Sequence, residues 1–208
     1  MTSHGRSPDP LSSRRATPAT LWRVALLWGL VVLASFAAIA VYAKTPGRQQ
    51  PPSAENQSLP PEGRWRIAMA IHPRCPCSKA SIAHLQRLLH RYEQRLSVDV
   101  YVYRPGATAP QWANSSLVEQ VKRLPSLEVH DDVDGAAALG FGIETSGGLV
   151  LYSPEGPAVF YGGITPSRGH EGANDGLTAV IDAINGRPTA RRRHPVYGCP
   201  IFRSGDGS

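Results

Sequence analysis

Cysteine is scarce in this 208-residue chain, which has three, and methionine and phenylalanine are also rare, at two and four. Three cysteines cannot form the several cross-links of a disulfide-framed secreted domain, so any fold must rest on an apolar core. No internal repeat is visible, which excludes a solenoid or propeller. A concentrated basic face is also missing. The formal net charge is +6 and the pI is near 9.5, but Arg6, Arg14, Arg15, Arg23 and the run Arg191-Arg192-Arg193 carry much of the excess. Nucleic-acid binding would need cations gathered on one folded face with aromatics between them, so nucleic acid is not an expected partner. Asp131, Asp132 and Asp134 lack the later glycine and glutamate of a calcium loop. They read instead as capping or solvated carboxylates.

One long apolar run is present. Val24 to Ala43 carries no charge and is rich in Val, Leu, Ala and Ile. About 20 such residues make a helix of about 30 Å, the thickness of a bilayer's hydrocarbon layer. Trp22, Trp28 and Tyr42 fall near its ends, as interfacial aromatics do. Val41-Tyr42-Ala43 also resembles a small-residue cleavage site, but a signal-peptide core is shorter, and length favours an uncleaved anchor. More arginines precede the span than follow it, which orients the amino terminus inside. The expected layout is a cytoplasmic tail over 1–23, a single transmembrane signal anchor over 24–43, a Pro-rich linker over 44–63, a folded domain over 64–188 and a tail over 189–208 carrying Cys199. In a bacterial cell this puts the domain in the periplasm on the inner membrane, where disulfides persist.

The linker has no apolar periodicity and reads as a disordered or extended tether, with a reach of about 25 Å. Trp65 to Ile71 has strand patterning, and Ile82, Leu85, Leu88, Leu89, Tyr92 and Leu96 repeat at helical spacing. Val98 to Tyr103 is a second strand, Arg104 to Ser115 a loop and Ser116 to Arg123 a short helix. Leu127-Glu128-Val129 is a brief strand, followed by a short helix capped by Asp134. Leu149 to Tyr152 and Ala158 to Tyr161 form a hairpin, and a last helix begins at Asn174 or Asp175 and ends before Gly186 and Pro188. The pattern is α/β.

The chemistry gathers where the first strand meets the first helix, at His72-Pro73-Arg74-Cys75-Pro76-Cys77. A Cys-x-Cys pair alone is a weak signal; at such a junction, behind a membrane segment, it reads as reactive. Proline favours the first helical position, so Pro76 predicts Cys75 as the N-cap, with free N–H groups and the helix dipole favouring its thiolate. Arg74, Lys79 and His72 add positive potential. Cys77 is near enough to resolve a mixed disulfide. A purely structural bridge is disfavoured because so short a loop removes little unfolded-state entropy. Cys199, among Tyr197, Pro200, Ile201 and Phe202, is a candidate third redox thiol whose tail docks on the domain.

These features resemble the thioredoxin-like superfamily over about Arg64 to Gly186, and more narrowly its TlpA-like, RedB-type membrane-tethered members. The resemblance rests on strand–Cys-Pro-Cys-Ser–helix, Asp134-Gly135 with Phe141-Gly142-Ile143, Thr145-Ser146-Gly147, Gly162-Gly163-Ile164-Thr165, Ser167 to Gly172 and Tyr197-Gly198-Cys199-Pro200. It implies a central mixed sheet flanked by helices and thiol–disulfide exchange by Cys75 and Cys77 with other thiol or disulfide proteins, needing no cofactor beyond the redox disulfide. The place of the family's cis-proline reads Thr145-Ser146-Gly147-Gly148, so Thr145, Ser146 and Gly147 are expected to line the groove, with Gly163 and the Arg168–His170 loop beside it. The one-residue cysteine spacing points to an oxidant or isomerase. Two other readings stand beside exchange: a copper(I)-binding module using Cys75, Cys77 and either His72 or Cys199, and a redox sensor without turnover.

Overall fold

The computed structural model describes residues 17–53, 63–106, 108, 110–189 and 191–202. The chain divides into two compact units, Met1–Tyr42 and Ala43–Ser208. In the first, helix α1 (Pro18–Lys44) buries no side chain and is long and apolar enough to cross a membrane. It extends the expected 24–43 span at both ends.

The second unit is built on five strands: β1 (Trp65–Ile71), β2 (Leu96–Arg104), β3 (Leu127–Val133), β4 (Gly148–Tyr152) and β5 (Ala158–Gly162). Their order in the sheet is β3-β2-β1-β4-β5. β1, β2 and β3 run parallel, while β4 and β5 are antiparallel to their neighbours. Between them lie α2 (Ser78–Tyr92), a 3-10 turn (Pro110–Ala113), α3 (Ser116–Lys122), α4 (Ala136–Gly140) and, at the end, α5 (Asp175–Ile184).

The two-residue period of the strands divides the interior into two layers. In β1, Ile67, Met69 and Ile71 face a core shared with Ile82, Leu85 and Leu88 of α2, Val121 of α3 and Val180 and Ile184 of α5. The alternate residues Ala68 and Ala70 face the other layer, with Ala138 and Phe141, Val150 and Tyr152 of β4, and Ile201 from the tail. Both faces of β1 are covered, which accounts for its apolar run. Asn174 caps α5 by accepting from Leu177 N–H at 2.8 Å, and Ser115 caps α3 by accepting from Val118 N–H at 3.2 Å.

Four expectations need correction. The helix α2 begins at Ser78 with Cys77 as its N-cap, not Cys75, because Cys75 and Pro76 are still in the turn. Strand β3 continues through Val133 rather than stopping at Val129, since its polar end is paired residue by residue with β2 as far as Arg104. The N-cap residue of α4 is Gly135, and the capping carboxylate is that of Asp132, whose two oxygens accept from Ala137 and Ala138 N–H at 2.9 and 3.1 Å. Asp134 instead accepts from Gly106 N–H at 2.6 Å. Finally, part of the expected tether is docked. Gly47 N–H donates to Val196, Gln50 N–H to Gly142 and Ser53 N–H to Gly140, while the buried Gln49 donates its amide to the Leu149 carbonyl. Backbone pairing holds this proline-rich strand where hydrophobic periodicity gives no sign of it; residues 54–62 of the linker lie outside the described residues.

Asp132 is buried, and its double cap starts the helix that covers one core layer. Asp132→Ala is expected to destabilise the full-length protein in detergent by about 1–2 kcal/mol, seen as a lower urea midpoint with an unchanged slope.

Candidate functional site

The parallel pairing of β1 with β2 ends at Ile71 and Val102, and the antiparallel pairing with β4 places Ala70 opposite Gly148. The chain therefore leaves β1 beside the segment that enters β4, and the two loops meet at the carboxyl edge of the sheet. Gly147 N–H donates to the Ala70 carbonyl at 2.8 Å. Gly147 has φ +86°, and a Cβ on it would lie 2.6 Å from Ser81 Oγ, so glycine lets this loop press against α2. Next to it, the buried Ser146 hydroxyl accepts from His72 N–H at 2.8 Å and shares a hydrogen bond with the buried Ser78 hydroxyl at 2.7 Å. Two buried hydroxyls thus join the cysteine turn to the β4 loop.

Onto this joint comes the tail. Ser146 N–H donates to the Cys199 carbonyl, Thr145 bridges Pro200 in antiparallel fashion, and Ile201 N–H donates to the Glu144 carbonyl. Val196 and Ile201, on either side of Cys199, are buried. A Cβ at Gly198 would collide with the Ser146 carbonyl oxygen, and the Arg168 guanidinium donates to the Gly198 carbonyl. The tail is an integral edge segment of the domain.

The result is a cluster of three free thiols, Cys75, Cys77 and Cys199, whose sulfurs all lie within 4.8 Å of one another. Cys199 N–H donates to Cys75 Sγ at 3.4 Å. Cys75 is 2% exposed, whereas Cys77 and Cys199 are half-buried. The Cys75 thiol is lowered to about 4. The hydrogen bond from the Cys199 thiol is the largest cause, burial opposes it, and the Ser78 hydroxyl and the N–H groups of Cys199 and Ser78 add to it. Burial, and then the charge of Cys75, pushes Cys77 up. The bond to Cys75 and burial push Cys199 up as well. One sulfur carries the charge and its neighbours hold protons.

The expected site residues divide accordingly. Cys75, Cys77 and Cys199 meet at the sulfurs, exposed Pro76 separates the first two, and Ser146 and Gly147 lie behind them against Ser78 and Ser81. Arg168 lies close enough for its charge to favour the Cys77 thiolate, and a Cβ at Gly169 would lie 3.8 Å from Cys77 Cα. Thr145 faces away, donating its hydroxyl to the Arg48 carbonyl at 2.8 Å. Gly163 seats the tail further along, since a Cβ there would lie 2.7 Å from the Pro195 carbonyl. His170 is exposed, with Nδ1 2.7 Å from the Arg168 carbonyl. His72 is the clearest correction. Its ring stacks on Tyr103 at 5.6 Å between centroids, its Nδ1 accepts from Arg74 N–H, and among the described residues Cys199 rather than His72 completes the sulfur group. Ser78 was missed as a participant. A serine directly after Cys75-Pro76-Cys77 was the available signal.

No family model and no curated protein matches the sequence. Solved structures do. An uncharacterized conserved protein from Geobacillus kaustophilus aligns with a TM-score of 0.55 at 16% identity, covering 78% of this chain and 91% of that one. A hypothetical protein from Sinorhizobium meliloti 1021 aligns with a TM-score of 0.54 at 19% identity, covering 78% and 94%. A secreted Mycobacterium tuberculosis disulfide oxidoreductase homologous to E. coli DsbE aligns at 0.44 and 14% identity, covering 61% and 84%. The mixed sheet flanked by helices and the cysteine turn between β1 and α2 match what the sequence resemblance implies. The fold is thioredoxin-like. At these identities the comparisons speak for the fold alone. Within that thioredoxin-like domain no peptide bond among the described residues is cis, and the Thr145-Ser146-Gly147 loop meets the cysteine turn through the Ser146 hydroxyl, at His72 N–H and Ser78.

Because Cys75 ionises far below an ordinary thiol of about 9, its charge stabilises the reduced fold. A group with a depressed folded pKa contributes fully above its unfolded value and loses that contribution as pH falls through the folded one. The reduced protein should therefore lose stability on acidification from pH 9 towards about 4, and Cys75→Ala should lack this component. Ultraviolet thiolate absorbance should titrate in parallel; a Cys75 signal that appears only above pH 8 would contradict this assignment.

Proposed function

We propose that this protein is a membrane-anchored thiol–disulfide oxidoreductase of the bacterial inner membrane, working through Cys75-Pro76-Cys77 on the periplasmic side, and that it acts as an oxidant. The observation that carries the reading is the arrangement of the sulfurs: one buried and hydrogen-bonded, two half-exposed, all within 4.8 Å. The apolar α1 and the arginine bias before it support the anchor and its orientation. The resemblance of its motifs to those of TlpA-like, RedB-type proteins supports the same setting.

The chemistry follows from exposure. A client thiolate reaches half-exposed Cys77 before buried Cys75, which reverses the order expected from the helix start. In the oxidised protein, the client sulfur bonds to Cys77, the Cys75–Cys77 bond breaks, and Cys75 leaves as the stabilised thiolate. A low-pKa thiol is the better leaving group. The client's second thiol then attacks its own mixed disulfide, releasing Cys77 as a thiol and leaving the client oxidised by two electrons. Another disulfide protein regenerates the site. Stabilising the reduced form raises the potential, so the couple belongs above the value of about −270 mV typical of thioredoxin. A glutathione redox titration is expected to find it there, and Cys75→Ser should abolish oxidation of a dithiol peptide. A potential at or below that of thioredoxin would refute the oxidant role.

A second reading has its own support, since three sulfur donors on one patch suit Cu(I). Cys75, Cys77 and Cys199 would hold the ion, and the soft thiolate set would select it over harder cations. The reduced protein would take up one equivalent of Cu(I), lost in Cys75→Ser and Cys199→Ser and retained in His72→Ala. Failure of the reduced wild type to bind Cu(I) would remove this reading.

A further inference from the structure

We propose that Cys199 is a working exchange partner of Cys75, so that the oxidised centre holds two interconverting disulfides, Cys75–Cys77 and Cys75–Cys199. This inference rests on the thiol-exchange reading above and extends it to a third sulfur. Cys199 is held in place rather than merely nearby. Its carbonyl accepts from Ser146 N–H, its own N–H points at Cys75 Sγ at 3.4 Å, and buried Val196 and Ile201 fix the chain on either side. Gly198, where a Cβ would meet the Ser146 carbonyl, permits this close approach. Thr145 and Pro200 continue the pairing. Cys75 thus has one sulfur neighbour one residue away in sequence and another fixed to it through the sheet edge.

The exchange is redox-neutral. The Cys199 thiol gives up its proton and its sulfur bonds to the Cys75 sulfur. The Cys75–Cys77 bond breaks, and Cys77 leaves with the electron pair and takes a proton. Running backwards, the same step returns the disulfide to Cys77. The two half-exposed sulfurs therefore flank one buried partner, giving the centre two ports. A client docks at Cys77, beside the Arg168–Gly169 loop. A regenerating disulfide protein has Cys199 as a second point of attack on the same patch, its sulfur within 4.8 Å of the other two. The Cys75–Cys199 bond also closes a loop spanning nearly the whole domain. Unlike the Cys-Pro-Cys ring, it would restrict the unfolded chain strongly.

Trypsin distinguishes the two forms. Cleavage after Arg74 and Lys79 leaves Cys75 and Cys77 on one short peptide, while cleavage after Arg193 and Arg203 isolates Cys199 on another. Full-length protein in detergent is equilibrated across glutathione ratios, quenched in acid, alkylated, digested and analysed by mass spectrometry. The proposal expects the cross-linked peptide pair in at least a tenth of oxidised wild type. In Cys77→Ser it should be the dominant intramolecular disulfide, and in Cys199→Ser it should be replaced by the bridge within one peptide. Wild type that forms Cys75–Cys77 without any cross-linked pair overturns the role of Cys199 and leaves the exchange function standing. Wild type that forms neither disulfide removes both. Should Cys77→Ser fail to fold, fragmentation of the wild-type cross-linked pair on either side of Pro76 assigns the bridge, and a bridge to Cys77 alone overturns the proposal.

Discussion

The hydrogen bond from the Cys199 peptide to the Cys75 sulfur organises the site. It joins two stretches 124 residues apart, and everything that gives the centre its character depends on that junction. Burial alone would raise a thiol's pKa and leave Cys75 inert. Donors from Cys199 and Ser78 reverse that outcome, so a covered sulfur carries charge.

That junction is possible because of the sheet register. β1 and β4 are antiparallel neighbours, so the turn after one and the approach to the other share an edge. The Ser78–Ser146 hydroxyl pair closes the gap between them. It satisfies two backbone-linked polar groups in a buried spot, where an unpaired hydroxyl would cost about 1–3 kcal/mol. It also leaves the edge beside Ser146 open for the Cys199 segment to pair as an added strand.

Much of this was legible in the sequence. The strands β1, β2, β4 and β5 announce themselves by apolar runs, α2 and α5 by helical spacing, and the apolar α1 by its lack of charge. The cysteine pair falls at the strand-to-helix junction as expected. Errors came where polar groups do the work. β3 ends in His130-Asp131-Asp132, which reads as loop until its pairing with β2 and the Arg104–Asp131 contact supply partners. Asp132 rather than Asp134 caps α4 because Asp134 is itself in a left-handed turn with its carboxylate drawn to Gly106. His72 stands two residues from Arg74 and three from Cys75, yet its ring is taken by Tyr103 and Trp112.

By itself the sequence determined which residues are apolar at which spacing, where the helices and most strands lie, and that two cysteines sit at a chain reversal. Those are properties of neighbouring residues, and local physics suffices for them. Tertiary structure alone decided that Cys199 is the third sulfur, that Cys75 is the buried one, and that Gly47–Ser53 belongs to the domain. Each of these is a contact between segments far apart in the chain, made by backbone groups that every residue carries. Backbone donors and acceptors leave no mark in side-chain patterning, so only the assembled fold could reveal them.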